Sequence, residues 1–489
     1  MNSTLTNDVA LLKEMVISLL SRTSILEKEN ERLRLRLSSV EKENIALRSQ
    51  VSTLTKENED LGSRLNLTSK TSNKPPSSDG YKKEPAFPRE KGKKKGGQEG
   101  HTGTHLQKVS VPDEIILHAP NSCTCCGRFF EPNEITISQQ RQVFDIPLIR
   151  LHVTEHQLGS VSCCNQLQMG VFPSSVAAPT QYGERILSFS NLLNVSFGIG
   201  YDKISTLCSD LFQCSFNVST AVSANEKLYD LLTPYQEEII NHICTSQVAH
   251  FDESGMRVAG SLHWFHTAST DLFCHLFVHK KRGQLALNSE ESPLKLFENW
   301  AVHDGFESYF HFKKCKHVLC NAHILRELAA LKEEKSIWAI KMHQFLLALY
   351  RVTQKGTGKL ENPDIWTHNY EKICQKADEE EPIAQSVKRG RPKNTKGRNL
   401  LNRLIKYKNE VLAFALYQEV PFTNNLAERD IREIKVKQKI ATSFRTLKGA
   451  KIYARILSFT KSLRKQKINV FDALQQIHKG IKVEWKLTT

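Results

Sequence analysis

Three acidic residues stand in surroundings that suit metal chemistry. Asp252 ends the apolar run QVAHF, Asp304 ends NWAVH and precedes Gly305, and Glu428 lies at the start of NLAERDIREIKVKQK. Carboxylates at strand ends, joined by a third on a nearby helix, fit two-metal phosphoryl transfer. Mg²⁺ takes hard oxygen ligands in octahedral geometry, and two ions about 3.5–4 Å apart can activate an attacking oxygen and stabilise a leaving one. Each acid also has a plainer reading. Asp252 or Asp304 can be a turn residue; Asn424 or Asn425 can cap the helix, and if Asn425 does, Glu428 can complete a capping box. Within that helix Ala427, Ile431 and Ile434 form an apolar stripe, while Glu428, Arg432, Lys435 and Lys439 share a neighbouring flank. A carboxylate heading a row of cations fits a site that handles phosphates. Asp430 and Glu433 read as surface partners for Lys and Arg.

Acids so spaced need a sheet to hold them, and residues 246–323 carry its pattern. SQVAHFDES, MRVAGSLHWFHTAST and DLFCHLFVHKK read as a three-strand meander, followed by the strands NWAVHDGF and HVLCNAH, the last leading into the helix AHILRELAALKEEK. Strands first paired in a meander and then alternating with helices imply a mixed α/β sheet. Residues about 335–415 are mostly helical, interrupted by SVKRGRPKNTKGRN. In that loop Arg389-Gly390-Arg391-Pro392 either threads Arg389 and Arg391 into a narrow A·T minor groove or is simply a basic disordered loop. Upstream, YDKISTLCSDLFQC, SFNVS and TAVSANEKLYDLLTPYQEEIINHI have the layout of a helix-turn-helix, and equally of two packed helices.

The first 68 residues carry a heptad seam. Leu5, Leu12, Leu19, Leu26, Leu33, Val40, Leu47, Leu54 and Leu61 recur every seven residues at d, with Val9, Val16, Thr23, Asn30, Leu37, Asn44, Val51, Asn58 and Leu65 at a. Asn at a costs stability but fixes two parallel strands in register, which predicts a homodimer through a coiled coil. Residues 69–105 are rich in Pro, Gly, Ser and Lys and have too few aliphatic residues to bury a core. There Lys93 and Lys94 can neutralise phosphates without reading sequence, or stay solvated. From about residue 111 the pattern turns to short β-like runs, VSVPDEIILH, QRQVFDIP and LIRLHVTEHQ, the last two lying between CTCCG at 123–127 and a second cysteine pair at 163–164. Cys123-x-x-Cys126-Gly127 is a zinc knuckle, while adjacent Cys163 and Cys164 make a poor second half that His152 or His156 can complete.

A chain of 489 residues with net charge +16 points to several domains and a polyanionic partner, most simply nucleic acid. No apolar run approaches about 18 residues, so a membrane-spanning role is excluded and a soluble intracellular protein is expected. The twelve cysteines are scattered, which in a reducing compartment argues against a disulfide scaffold.

In its order of motifs the chain resembles the DDE transposases of insertion sequence family 66. The resemblance rests on HFDES, VHDGF, CNAH at 320–323 and NNLAERDIREIKVKQKIATSFRT, preceded by a coiled coil, KPPSSDG at 74–80, GGQEGHTG at 96–103 and a zinc-finger-like segment. It covers nearly the whole chain and implies an α/β catalytic core with a ribonuclease H-like mixed sheet over residues 243–483, carrying a helical insertion at about 335–415. The other implied domains are a coiled coil at 1–68, a basic linker at 69–110, a zinc-finger-like domain at 111–175 and a helical, DNA-binding segment at 176–242.

The resemblance further implies that Asp252, Asp304 and Glu428 hold two Mg²⁺ or Mn²⁺ ions. Water then cleaves a phosphodiester at the element's end, and the freed 3′-OH attacks target DNA in line. Arg432, Lys435 and Lys439 would hold the DNA backbone. Cys320 and His323 resemble the Cys-x-x-His that follows the second Asp in several transposases and would support the site; alone they read as a buried Cys and a helix-start His. Implied partners are the terminal inverted repeats, target DNA and accessory proteins of the same element, in a bacterial cytoplasm at the nucleoid. Two departures stand out: the family's second Cys-x-x-Cys is reduced to Cys163-Cys164, and Ser254 replaces a more usual Thr. The rival readings are a non-catalytic dimeric DNA-binding regulator and a nuclease without strand transfer.

Overall fold

The computed structural model describes residues 2–65, 106–355, 360, 362–383 and 394–487. Lys93 and Lys94 of the basic linker, and Arg389 and Arg391 of the basic loop, lie outside the described residues. Asn2–Leu65 form one continuous helix, α1, in a stretch with neither proline nor, before Gly62, any glycine to break it. Its seam residues Leu19, Leu26, Leu33, Val40, Leu47 and Leu54 are between 46% and 60% exposed, so the apolar stripe is open on this chain. No helix among the described residues is long and apolar enough to cross a membrane.

Residues 106–183 hold little regular structure. The strands expected at VSVPDEIILH, QRQVFDIP and LIRLHVTEHQ do not form, and the one hairpin joins β1 Ser160–Cys163 to β2 Gln166–Met169. Alternating apolar residues make a strand only where one face has a core to cover. Here Val143, Ile146, Leu148 and Val153 are between 75% and 92% exposed, and no neighbouring strand takes their backbone groups. The Gln142 amide instead bridges the segment to Val109, accepting from its N–H and donating to its C=O, both at 2.8 Å.

Helices α2 Glu184–Asn191, α3 Tyr201–Phe212, α4 Val218–Leu231 and α5 Thr233–Thr245 follow. The second helix expected in this region is split in two at Leu232, because Pro234 lacks the N–H that an unbroken helix would use but fits the first turn of a new one.

The central sheet is mixed. Strands β3 Val248–Val258, β4 Ser261–Ser269 and β5 Cys274–His279 form an antiparallel meander, β6 Trp300–His303 and β7 Lys316–Leu319 add in parallel beyond β3, and the short β8 Ser443–Phe444 pairs with the far end of β3. The spatial order is β5-β4-β3-β6-β7. Helix α6 Gln284–Leu287 lies between β5 and β6 in sequence, and α7 Asn321–Glu333 follows β7. The expected helical insertion is α8 Ile337–Lys355, α9 Pro363–Glu380, α10 Lys396–Lys406 and α11 Lys408–Leu416. The chain ends with α12 Asn425–Ala441, α13 Leu447–Lys465 and α14 Val470–His478.

Alternation along β3 sorts its two faces. Met256 and Val258 join a core built with Ile431 and Ile434 of α12, Ile456 and Phe459 of α13 and Leu228 of α4. Ala249 and Phe251 face the opposite core, with Ile239 and Ile243 of α5, Phe297 and Tyr309. Even-numbered residues of β3, Asp252 among them, therefore look toward α12. The outer edge of β5 is covered as well: the Cys274 and Leu276 N–H groups donate to Ser462 Oγ at 3.0 Å and Ser458 Oγ at 2.8 Å, one turn apart on α13.

Candidate active site

The sequence reading put a turn after Asp252, between SQVAHFDES and MRVAG. The turn lies instead at Ala259 and Gly260, both with positive φ (47° and 77°), the two-residue hairpin geometry that matches strand twist. Asp252 is thus inside an unbroken strand, at the point where the pairing with β6 gives out. That pairing runs Val248 to Trp300, Ala249 to Ala301 and His250 to Val302, and carried two residues further it sets Asp304 beside Asp252. Adjacent strands are about 4.8 Å apart, so that continuation brings the two residues to neighbouring positions, Asp304 just past the carboxyl end of β6 and Asp252 within β3. Past Asp304 the chain turns on Gly305, whose φ of +94° disfavours any side chain; an added Cβ would also sit 3.1 Å from Leu319. Asp304 Oδ1 accepts the Phe306 N–H at 2.9 Å and fixes that turn.

Burial holds the Asp252 carboxyl well above the usual carboxylate range, and Glu253, Asp304 and Glu428 push it the same way, against a backbone N–H from Glu253. Glu253 points to the other face and is 1% exposed, with Arg282 Nη2 2.6 Å from Oε1. Tyr309 donates its hydroxyl to Glu253 Oε2 at 2.5 Å. Arg282 in turn lies over the Phe306 ring at 4.2 Å, so the pair clasps the Asp304 turn to β3. His303 braces the same turn. Its Nδ1 accepts the Gly305 N–H at 3.1 Å, so Nε2 carries the proton and donates to His317 Nδ1 at 3.1 Å. Burial, with His317 alongside, keeps His303 well below its usual range and neutral.

Glu428 lies in the first turn of α12, whose N-cap is Asn424 rather than Asn425. The capping box does not form, since the Asn424 side chain is committed elsewhere. It receives His250 Nδ1 at 3.0 Å and donates to the Phe251 carbonyl at 2.8 Å, while its own N–H donates to Cys320 Sγ at 3.1 Å. Glu428 is left to face the start of α7, with Cys320 Sγ 3.9 Å and His323 Nδ1 3.7 Å from its Oε1. Burial raises the Cys320 thiol to about 11.

Further along α12, Ala427, Ile431 and Ile434 are buried as the stripe requires, and Arg432, Lys435 and Lys439 are exposed. Lys435 reaches back to the Gly255 carbonyl at 3.2 Å, beside Asp252. Asp430 is not a surface residue: it is 7% exposed, with Lys465 at 2.7 Å, Lys461 at 3.5 Å and Ser269 at 2.8 Å. Glu433 also turns to Lys461 of α13, at 3.7 Å.

Glu253, Arg282 and Tyr309 were not among the residues picked out by sequence, and Asn424 was picked out only as a candidate cap, the position it holds. A signal exists for Glu253, since alternation sends it to the apolar face opposite Asp252, where a carboxylate demands a partner.

The cysteine segment is half formed. Gly127 N–H bonds to the Cys123 carbonyl at 2.9 Å with φ +74°, and backbone N–H groups of Cys126 and Cys125 hold the Cys123 thiol below its usual range. Cys163 and Cys164 sit at the tip of the β1–β2 hairpin, 3.6 Å apart through sulfur. These four cysteines do not gather into one ligand group. Among the described residues, the single group of three ligand atoms within 4.8 Å of one another is Cys320, His323 and Glu428.

A family profile described as "Transposase IS66 family" matches residues 179–452, which include Asp252, Asp304, Cys320, His323 and Glu428. A second, described as a family of unknown function (DUF6444), matches residues 21–107. No curated protein matches the chain. With more than half of its length matched, over the whole of the sheet and the acids it carries, the chain belongs to the IS66 family of transposases.

Proposed function

We propose that this chain is a DDE-type transposase that cleaves DNA at the ends of its insertion sequence and transfers the freed strand into target DNA. The observation that carries the reading is the register of β3 and β6 in the middle of the sheet: continued by two residues, it supports a place for Asp304 beside Asp252, on strands next to α12 with Glu428 in its first turn. A three-strand antiparallel meander extended by two parallel strands, in the order β5-β4-β3-β6-β7, supports a ribonuclease H-like core.

The donor set fits magnesium. Three carboxylates offer hard oxygens, and Asp252 is displaced upward first by burial and then by the neighbouring charges of Glu253, Asp304 and Glu428. Asp252, Asp304 and Glu428 would hold two Mg²⁺ or Mn²⁺ ions. When bound, such ions activate the attacking oxygen and stabilise the leaving one in an in-line displacement. The chain's own part is positional. β3 and β6 fix the spacing of the two aspartates, the Glu253–Arg282–Tyr309 clasp holds the Asp304 turn, and Asn424 ties the glutamate helix to β3. Exposed Arg432, Lys435 and Lys439 supply a row of cations for DNA phosphates leading into the site.

The open seam of α1 supports a parallel homodimer. The helix pair α3 and α4 is suited to contact DNA, and the turn at Cys123–Gly127 supports a zinc site whose remaining ligands come from elsewhere in residues 111–175. One assay separates this reading from its rivals. Purified chain, Mg²⁺ or Mn²⁺ and DNA bearing the terminal repeats should give both nicking and joining; nicking alone indicates a nuclease, and binding without either indicates a regulator.

A further inference from the structure

We propose that Cys320, His323 and Glu428 form a second divalent-metal site, of the zinc class, that draws on the carboxylate of the magnesium site, so that zinc opposes the magnesium-supported reaction. The inference rests on Glu428 serving phosphoryl transfer. Its geometry is already close to coordination. With zinc bonds of about 2.3 Å to sulfur and 2.0–2.1 Å to nitrogen or oxygen, ligand atoms on a tetrahedron lie about 3.3–3.6 Å apart. Here Cys320 Sγ and His323 Nδ1 stand 3.9 Å and 3.7 Å from Glu428 Oε1, within a few tenths of an ångström of those separations, and all three ligand atoms lie within 4.8 Å of one another.

The ligands are held in place before any ion arrives. Cys320 is 1% exposed, its N–H bonds to the His303 carbonyl at 2.9 Å, and its sulfur accepts the Asn424 N–H at 3.1 Å. His323 follows one helical turn later, on the first turn of α7, with its own N–H on the Cys320 carbonyl at 3.2 Å. The side chains of His323 and Glu428 remain 16% and 20% exposed, which leaves a way in for the ion and for a water as fourth ligand. Ligand chemistry separates the two sites: thiolate and imidazole select zinc, whereas magnesium takes carboxylate oxygen and water. Glu428 belongs to both sets. Zinc drawn to Cys320 and His323 spends the charge of Glu428 there, and weakens the hard-ion site without using either aspartate as a ligand.

Cobalt gives the test a readout that does not depend on activity. The parent is the full chain carrying Cys123→Ser, Cys126→Ser, Cys163→Ser and Cys164→Ser, which removes the other cysteine cluster. Titration with Co²⁺ should give a thiolate-to-cobalt charge-transfer band and tetrahedral visible bands at one ion per chain. Cys320→Ser should abolish the charge-transfer band, and Glu428→Gln should weaken binding by about tenfold or more. In magnesium-supported end cleavage, zinc should inhibit the wild-type chain, and Cys320→Ser in that chain should need about tenfold more zinc for the same inhibition. Where Cys320→Ser fails to fold, as judged by its melting, His323→Gln gives the same comparison. No charge-transfer band in the parent, an unchanged spectrum in the variants, or unchanged zinc inhibition would overturn the proposal. A parent that binds cobalt as described, beside a wild-type chain that never cleaves DNA, would sink the catalytic reading of Glu428 and leave the metal site standing.

Discussion

Asn424 Oδ1 lies 3.0 Å from His250 Nδ1, and the Asn424 amide donates to the Phe251 carbonyl at 2.8 Å, so the residue that starts α12 is fastened to the strand that carries Asp252. The Phe251 carbonyl needs a donor, which fixes the amide's orientation and makes His250 the donor to Oδ1. Asn424 is fully buried. It links the element that brings Glu428 to the element that brings Asp252.

Asn424→Ala leaves His250 and a backbone carbonyl buried without partners, at a cost of about 1–3 kcal/mol for an unmet group. The expected outcome is a lower melting temperature together with a fall in kcat of at least about tenfold, because a catalytic group displaced by about 1 Å can lose more than that. An unchanged rate in a folded Asn424→Ala chain would remove Asn424 from the positioning of Glu428.

Arg282→Ala strips the cation from Glu253, whose side chain is 1% exposed. Removing one partner of a buried ion pair costs about 3–5 kcal/mol, and Arg282 is itself 39% exposed, so the lower end applies. Denaturant unfolding measures the loss. Arg282→Ala with Glu253→Gln should recover much of it, since the double change leaves no unpaired charge; failure to recover would mean that Arg282 acts through its stacking on Phe306 instead.

Acid should weaken the fold through its buried histidines. Burial holds His266, His275 and His478 down to about 4, from an ordinary 6.5. A depressed folded-state value means that the unfolded chain takes up protons first. The contribution of these residues is therefore intact above about 6.5 and lost as the pH falls toward about 4. Asp252 and Glu253, held above their usual range, act in the opposite sense, so the informative quantity is a difference. His275→Gln, whose amide can keep the bond to the Glu291 carbonyl, should flatten the decline of melting temperature between pH 6.5 and 4 relative to the parent. Parallel curves would show that His275 does not titrate on unfolding.

The α1 seam predicts a dimer of the full chain without DNA, measured by sedimentation. Leu26→Lys, Leu33→Lys and Leu47→Lys together should give a monomer that retains the circular dichroism of the rest of the fold. A wild-type chain that stays monomeric at high micromolar concentration contradicts the seam's assignment.

Much of the site was legible in residue types and order. Asp252, Asp304 and Glu428 could be chosen because two closed apolar runs and one opened a helix. Their juxtaposition could not, because register is a property of pairing and no local signal tells Val248 that it will meet Trp300. Asp430 was misread for a related reason: its partners Lys461 and Lys465 are on α13, beyond any i,i+4 rule. The runs around Val143 and Val153 show the converse error, a strand-like alternation with no neighbour to pair with and no core to cover.

The central claim is that Asp252, Asp304 and Glu428 act together on DNA. The most direct measurement is strand transfer by purified full-length chain, with Mg²⁺, of DNA ends bearing the element's terminal repeats. Asp252→Asn, Asp304→Asn and Glu428→Gln should each fold, bind the DNA and lose at least about 10³-fold in rate, the scale on which transition-state charge stabilisation is lost when one such group is removed. An Asp252→Asn chain that cleaves and joins at the wild-type rate would contradict the account.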